Sequence, residues 1–224
     1  FSHLGVLYTA LVREVGGFRK GLEGSQDWDL VLRCMERVQP AQILHIPRVL
    51  YHWRIHAQST AKSMTAKPYA VVAGERALTE HLTRTGVRGR AEHVGIGYRV
   101  HYALPAVAPK VSIVIPTRNA QALVRQCVES IQRRSTYPDW EILLVDNGSD
   151  DPAAVAYFQQ LAQQPRIRVL RDDSPFNYSA LNNRAVAQAQ GEVIALLNND
   201  IEVLSPGWLE EMVSLALQPG VGAV

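Results

Sequence analysis

The chain reads as an α/β protein organised around a parallel sheet, and three observations in its second half predict this. Short apolar runs at 111–115, 141–145, 167–170 and 193–197 have the length of buried strands. Segments with apolar residues at helical spacing lie between them, and the junctions hold Pro, Gly, Asn or Asp. Strands that alternate with helices need crossover connections, which make the sheet parallel and put helices on its faces.

The first run lies between Pro109 and Pro116. A helix near 120–134 aligns Leu123, Val124, Cys127, Val128 and Ile131 on one stripe. The run 141–145 closes on Asp146-Asn147-Gly148-Ser149, a set of turn residues. Pro152 suits the first position of the next helix. A helix over 179–189 is expected to end on Gly191 as a left-handed cap. Ser205 is expected to cap a last helix with Pro206 at its first position. The terminal Gly220-Val221-Gly222-Ala223-Val224 reads as the start of a further strand.

The first half is less regular. Residues 8–15 and 28–37 read as amphipathic helices separated by Gly16-Gly17 and a glycine-bearing stretch at 21–24. Residues 43–46 and 49–53 read as short strands around Pro47. A connector at 62–108 is expected to hold one helix near 69–84, a strand-like 98–102 and a proline-bounded linker at 105–109.

Composition narrows the classes. The 224 residues are 47% hydrophobic, enough for a buried core in one large or two small domains. A net charge of +2 excludes a nucleic-acid binder of the basic type. The excess of seven basic over three acidic residues at 61–108 reads as a solvated helix face. Cys34 and Cys127 both fall on apolar helical stripes, which predicts buried free thiols and a reducing, cytoplasmic setting. No apolar run approaches the ~20 residues of a membrane span. The chain begins with Phe1, and both ends read as cuts within a longer polypeptide.

In an open parallel sheet, ligands bind beyond the carboxyl ends of the strands. Three polar clusters fall there: Pro116-Thr117-Arg118-Asn119, Asp146-Asn147-Gly148-Ser149 and Asn198-Asn199-Asp200. Each alone is ordinary loop chemistry, whereas three at corresponding strand ends indicate a site. No Gly-x-Gly-x-x-Gly follows the first strand and no Gly-Lys-Ser/Thr occurs, which disfavours dinucleotide oxidoreductases and P-loop kinases. A bound diphosphate would then need a divalent cation on Asp200 to offset its charge. In the first half, Gln26-Asp27-Trp28-Asp29 opens a helix, where either acid suits a cap. The segment Tyr51-His52-Trp53-Arg54-Ile55-His56 crowds two histidines among aromatics.

The segments Val-Ser-Ile-Val-Ile-Pro-Thr-Arg-Asn at 111–119, Glu-Ile-Leu-Leu-Val-Asp-Asn-Gly-Ser at 141–149 and Leu-Leu-Asn-Asn-Asp at 196–200 resemble the amino-terminal half of family-2 glycosyltransferases. Phe-Asn-Tyr-Ser-Ala-Leu-Asn-Asn at 176–183 is similar to a variant in bacterial polysaccharide and O-antigen members. Gly16-Gly17-Phe18 with Gly24-Ser25-Gln26-Asp27-Trp28-Asp29-Leu30, and the stretch 45–60, resemble the acceptor half of the same family. The acceptor half precedes the nucleotide half here, the reverse of a single domain. The resemblance therefore implies the end of one domain at 1–61, the connector at 62–108, and the beginning of a second domain at 109–224. It implies the GT-A type of α/β sheet. The two half-domains then either close on one another in permuted order or stand separately.

The resemblance also implies roles. Pro116, Thr117 and Arg118 would line the nucleobase pocket, with Asp146 and Asn147 beside the base. Asn182 and Asn183 would lie near the diphosphate, and Asn198 would contact the nucleotide. Asn198-Asn199-Asp200 corresponds to the family's Asp-x-Asp metal motif, leaving Asp200 as the carboxylate for Mn²⁺ or Mg²⁺, with His52 as a further metal ligand and His56 in reserve. Asp27 matches the catalytic base, while Asp29 would support the helix start. The implied partners are a nucleotide-diphosphate sugar donor and a glycan or lipid-linked acceptor, with transfer by inversion at the inner face of the cell membrane. Two alternatives stand beside it: a non-catalytic nucleotide-sugar or sugar-binding module, and a sugar-phosphate nucleotidyltransferase. The latter needs a glycine-rich loop where Pro116-Thr117-Arg118-Asn119 stands.

Overall fold

The computed structural model describes residues 5–52 and 68–224. They belong to two compact units, Phe1–Ala103 and Leu104–Val224.

The second unit is the α/β sheet that the sequence predicts. Its strands are β3 (Val111–Thr117), β4 (Trp140–Asp146), β5 (Ile167–Arg171) and β6 (Val193–Leu196). They lie in the order β5-β4-β3-β6, all parallel. The helices are α4 (Gln121–Arg134), α5 (Pro152–Leu161), α6 (Tyr178–Val186) and α7 (Trp208–Ala216). Because side chains alternate along a strand, one sequence run serves two cores. Val111, Ile113 and Ile115 join Ile142 and Leu144 beneath α4, α5 and α7. Val114, Leu143 and Val145 face the other way, onto Leu181 and Ala185 of α6. Burying each such aliphatic side chain contributes about 1.5–3 kcal/mol.

Pro116 lies inside β3, where a proline ordinarily breaks a ladder. It is tolerated because β6 pairs only with Val111–Val114, so no β6 partner awaits a donor at Pro116. Asp151 caps α5 by accepting from Ala153 N at 3.0 Å, and Pro152 takes the first position, as expected. Gly191 does not cap α6, which ends at Val186 with a right-handed Ala187. The glycine is there for space: a Cβ would sit 2.6 Å from Ser112 N. The buried Glu141 fastens the same corner, accepting from Ser112 Oγ and Gln190 N, both at 2.7 Å. Nor does Ser205 cap α7, whose cap is Gly207; the Ser205 carbonyl instead accepts from Trp208 N. Residues 220–224 form no strand.

The first unit has α1 (Thr9–Glu14), α2 (Gln26–Met35), α3 (Pro68–Arg84) and a hairpin of β1 (Gly89–Val94) and β2 (Gly97–Tyr102). The hairpin turns through Gly95 and Ile96, with Gly95 at φ 58°. Sequence periodicity indicates only its second strand. The strands expected at 43–46 and 49–53 are absent from the described part: Pro40–Gln42 is a 3₁₀ turn and 43–52 are irregular. Pro47 removes a ladder donor at the centre of that segment. Trp53 and His56 lie outside the described residues.

Asp29 lies in the first turn of α2 as expected, but its main role is elsewhere; Ser25 occupies the cap position of α2, and no side chain caps it. Asp29 is fully buried between two guanidinium groups. Arg33 donates to it through Nη2 at 2.6 Å and Nε at 3.0 Å, and Arg19 through Nε at 3.1 Å and also Nη2. Arg33 also holds the carbonyls of Val15 and Gly17, and Arg19 reaches Glu80 of α3 at 2.6 Å. Burial works against the Asp29 charge, but the two arginines outweigh it and hold the carboxyl below its ordinary range.

Two outcomes follow for stability. Asp29→Asn leaves Arg33 buried without its counter-ion and is expected to cost about 3–5 kcal/mol, read by urea denaturation. Because the folded pKa is lowered, the unfolded chain takes up the proton first as pH falls. The Asp29 contribution is therefore complete above about pH 4 and is lost below it, so the gap between wild type and Asn variant should narrow there. Gly191→Ala is expected to cost about 1–3 kcal/mol in thermal melts, since the backbone of β3 has to shift.

Candidate functional site

A parallel sheet delivers all its strand ends to one edge. At that edge of the second unit, the loops after β3, β4, β5 and β6 are laced together by side chains. Asn147 N donates to Thr117 O at 2.8 Å, and Asn199 Nδ2 donates to Thr117 Oγ1 at 2.8 Å. Asn119, at φ 55°, donates its backbone N–H to Ser149 Oγ at 2.7 Å. Its side-chain oxygen accepts from Asp150 N and Asp151 N, both at 3.0 Å. A left-handed conformation is costly for most side chains but suits Asn, and these bonds hold it.

The expected site residues divide into framework and free groups. Pro116, Thr117, Arg118, Asp146, Asn147, Asn198 and Asp200 all belong to these strand ends. Asp146 is buried; its Oδ1 accepts from Ser149 N at 2.9 Å and its Oδ2 from Arg171 Nη1 at 2.7 Å. Asn147 is buried too, and its amide donates to the carbonyls of Asp172 and Ser174, both at 2.9 Å. These two side chains thus shape the loops. By contrast, Arg118 is exposed and only 3.9 Å from Asp150, a loose ion pair, and Asn198 and Asp200 are exposed. Asn182 and Asn183 sit in the second turn of α6. Asn182 is buried and donates to Tyr178 O at 2.8 Å, and its Oδ1 has no partner among the described residues; Asn183 is exposed.

Sequence reasoning missed Arg171, and it named Asn119 and Ser149 only as members of the strand-end clusters. Arg171 ends β5 and bonds Asp146, the Ser149 carbonyl and Asp173. Applying the strand-end rule to the third run as well would have found it. Cys127 of α4 lies beneath the Asn198-Asn199-Asp200 turn, its sulfur 3.9 Å from Asn198 O. Burial, and then the charge of Asp200, push its thiol up to about 11, so it is packing and not a nucleophile. Cys34 is likewise a buried free thiol. No group of three His, Cys, Asp or Glu side chains suited to a metal is present among the described residues.

In the first unit, Asp27 and Asp29 differ sharply. Asp27 is exposed at the first turn of α2, and its Oδ1 accepts from Trp28 N at 3.0 Å. Asp29 is engaged by two arginines. The loop that leads into Asp27 is braced by α3: Ser25 Oγ donates to Ala70 O at 2.8 Å, and a Cβ on Gly24 would lie 2.5 Å from Ala70 Cβ. A cleft of 340 Å³ opens beside this loop, lined by Gly21, Glu23, Tyr69, Val72, Ala73 and Arg76. His52 is exposed at the end of the irregular segment. No described helix is long and apolar enough to cross a membrane.

Comparison with known proteins agrees with the family resemblance. The chain is 53% identical, over its whole length, to the uncharacterized protein y4gI of Sinorhizobium fredii, covering 25% of that protein. It is 42% identical to the O-antigen biosynthesis protein RfbC of Myxococcus xanthus, over 99% of this chain and 17% of the relative. The chain therefore spans a quarter or less of the length of these relatives. Among solved structures, the mannosyltransferase PcManGT from Pyrobaculum calidifontis, in complex with GDP-Man and Mn²⁺, is 22% identical. That match covers 52% of this chain and 34% of the other, with a TM-score of 0.47. Residues 112–224 match the family described as Glycosyl transferase family 2, and the chain belongs to it.

Proposed function

We propose that the chain takes part in transferring a sugar from a nucleotide-diphosphate donor to a glycan or lipid-linked acceptor, with inversion at the anomeric carbon. The observation that carries this reading is the laced strand-end surface, whose framework side chains are satisfied internally while Arg118, Asn198 and Asp200 remain exposed. A preformed polar edge with exposed charged groups suits a phosphorylated nucleoside. On this reading, 109–224 is the nucleotide half of one domain and 1–61 the acceptor half of another. Activity at the inner face of the cell membrane fits polysaccharide assembly of the kind named for the Myxococcus relative.

The donor set for a metal is Asp200 with the Asn198 amide oxygen. This is too few for an all-protein cage, but it fits Mg²⁺ or Mn²⁺ shared with substrate phosphates, which need only one or two carboxylates. The cation would supply positive charge to the departing diphosphate. Arg118 would add a further cation at the same edge. His52 is a second ligand on the family resemblance alone.

Asp27 is the proposed base. It would accept the proton of the acceptor hydroxyl as that oxygen bonds to the anomeric carbon and the bond to the diphosphate breaks. No arginine pairs with it among the described residues, which supports it over Asp29, whose lone pairs and charge are taken by Arg19 and Arg33. A purely nucleotide-binding role is the second reading, favoured by the single carboxylate at 198–200.

Calorimetric titration of UDP, TDP and GDP with and without Mn²⁺ tests the nucleotide site. At least one should bind, and either omission of metal or Asp200→Ala should weaken it about tenfold or more, the loss of one charge-assisted contact. Affinity indifferent to both removes the metal role. In the full-length protein, Asp27→Asn should lower turnover by about 10²–10⁴ with unchanged melting temperature. Asp29→Asn should instead lower the melting temperature. Binding without turnover in the wild type favours the second reading.

A further inference from the structure

Trp28 stands next to Asp27 in the first turn of α2 and is 43% exposed. It is not loosely placed. Its ring meets that of Tyr98 edge to face, with centroids 5.4 Å apart and planes at 68°. Tyr98 comes from the hairpin, and its hydroxyl donates to Val71 O of α3 at 2.9 Å. The fit beneath it is close. A Cβ on Gly74 would lie 2.2 Å from the Tyr98 hydroxyl, so only glycine lets α3 pass under the ring. His93, on the partner strand of the hairpin, also packs edge to face against Tyr98, with centroids 5.5 Å apart. An aromatic residue is thus fixed by a rigid support while keeping surface in solvent. The preceding residue in the chain, Asp27, is an exposed carboxylate that accepts from Trp28 N at 3.0 Å and pairs with no cation among the described residues.

We propose that Trp28 is a binding residue for a pyranose ring of the acceptor, with Tyr98 as its positioning residue. The axial C–H groups of a sugar offer an apolar face that packs on an indole, while the hydroxyls at its rim hydrogen-bond to polar neighbours. An exposed indole beside a free carboxylate presents both kinds of contact to one ring. Asp27 and Trp28 occupy the same first turn of α2, so a ring seated on Trp28 would lie within the same stretch of surface as the proposed base. The inference rests on the reading of Asp27 as the base for its catalytic meaning, but the sugar contact itself does not. It also gives the hairpin a role, since residues 89–102, outside the part matched to the family, hold up the acceptor surface.

The test uses the full-length protein on an array of immobilised pyranosides and oligosaccharides, with sugar transfer assayed in parallel. The wild type should bind a subset of the array. Trp28→Ala should weaken that binding about tenfold, the scale of one aromatic contact, while Trp28→Phe should recover part of it. Tyr98→Ala should weaken binding and Tyr98→Phe, which keeps the ring, should restore it. Circular dichroism melts of each variant show that the protein is folded. Binding of no glycan, or equal binding by wild type and a folded Trp28→Ala, overturns the proposal. Glycan binding lost in Trp28→Ala with no transfer by the wild type leaves the Trp28 site standing and removes the enzymatic reading. Transfer with binding indifferent to Trp28 does the reverse.

Discussion

The pairing of β3 with parallel neighbours on both sides is the constraint on which the second unit depends. Once β4 and β6 run alongside it in the same direction, every crossover has to return over a face of the sheet, and every strand has to finish at the same edge. The polar residues that end β3, β4 and β6 are far apart in sequence, from Thr117 to Asp200. Backbone ladders bring them within hydrogen-bonding distance before any side chain chooses a partner. The site is thus a consequence of sheet direction, and the side-chain lacing refines it.

Each unit solves the same problem of holding charge inside. In the second, Asp146 and Arg171 form an ion pair at the carboxyl edge of the sheet, and Glu141 sits buried at the opposite end, bonded to Ser112 and Gln190. In the first, Asp29 lies between Arg19 and Arg33. Buried charges need satisfied partners, because an unpaired one is costly in a low-dielectric interior. The arrangement also separates roles. Carboxylates that fix backbone are enclosed and paired, whereas Asp27 and Asp200 are left in solvent, available to a substrate or a cation.

The first unit extends past the segment that resembles an acceptor half. α3 and the hairpin pack with α2 in a single unit, bracing the glycine loop through Ala70 and the indole of Trp28 through Tyr98. Residues that read as a connector from composition therefore serve as a buttress. Periodicity indicated α3 because its apolar positions recur over several turns. It missed β1, because a two-stranded hairpin with one face on a helix shows little alternation and includes charged Arg90 and Glu92.

What the sequence determined by itself was the α/β class, the parallel direction of the sheet and the set of polar residues at its carboxyl edge. These follow from local patterns: run length, helical spacing, and turn residues at the joints. The roles of Asp27 as base and Asp200 as metal ligand came from the family resemblance, not from these local patterns. Tertiary structure alone decided which neighbours share a role. Asp27 and Asp29 are two residues apart, yet Asp27 pairs with no arginine among the described residues while Asp29 is enclosed by Arg33, one turn on in α2, and by Arg19 from before the helix. Asp146 and Asn147 looked like ligand groups but are committed to Arg171 and to the 172 and 174 carbonyls. Gly191 looked like a helix cap but is required by the backbone of β3. The reason is the same in each case. Availability of a polar group depends on which partners packing brings to it, some local, as Arg33 one turn from Asp29, and others distant, as Arg171 for Asp146.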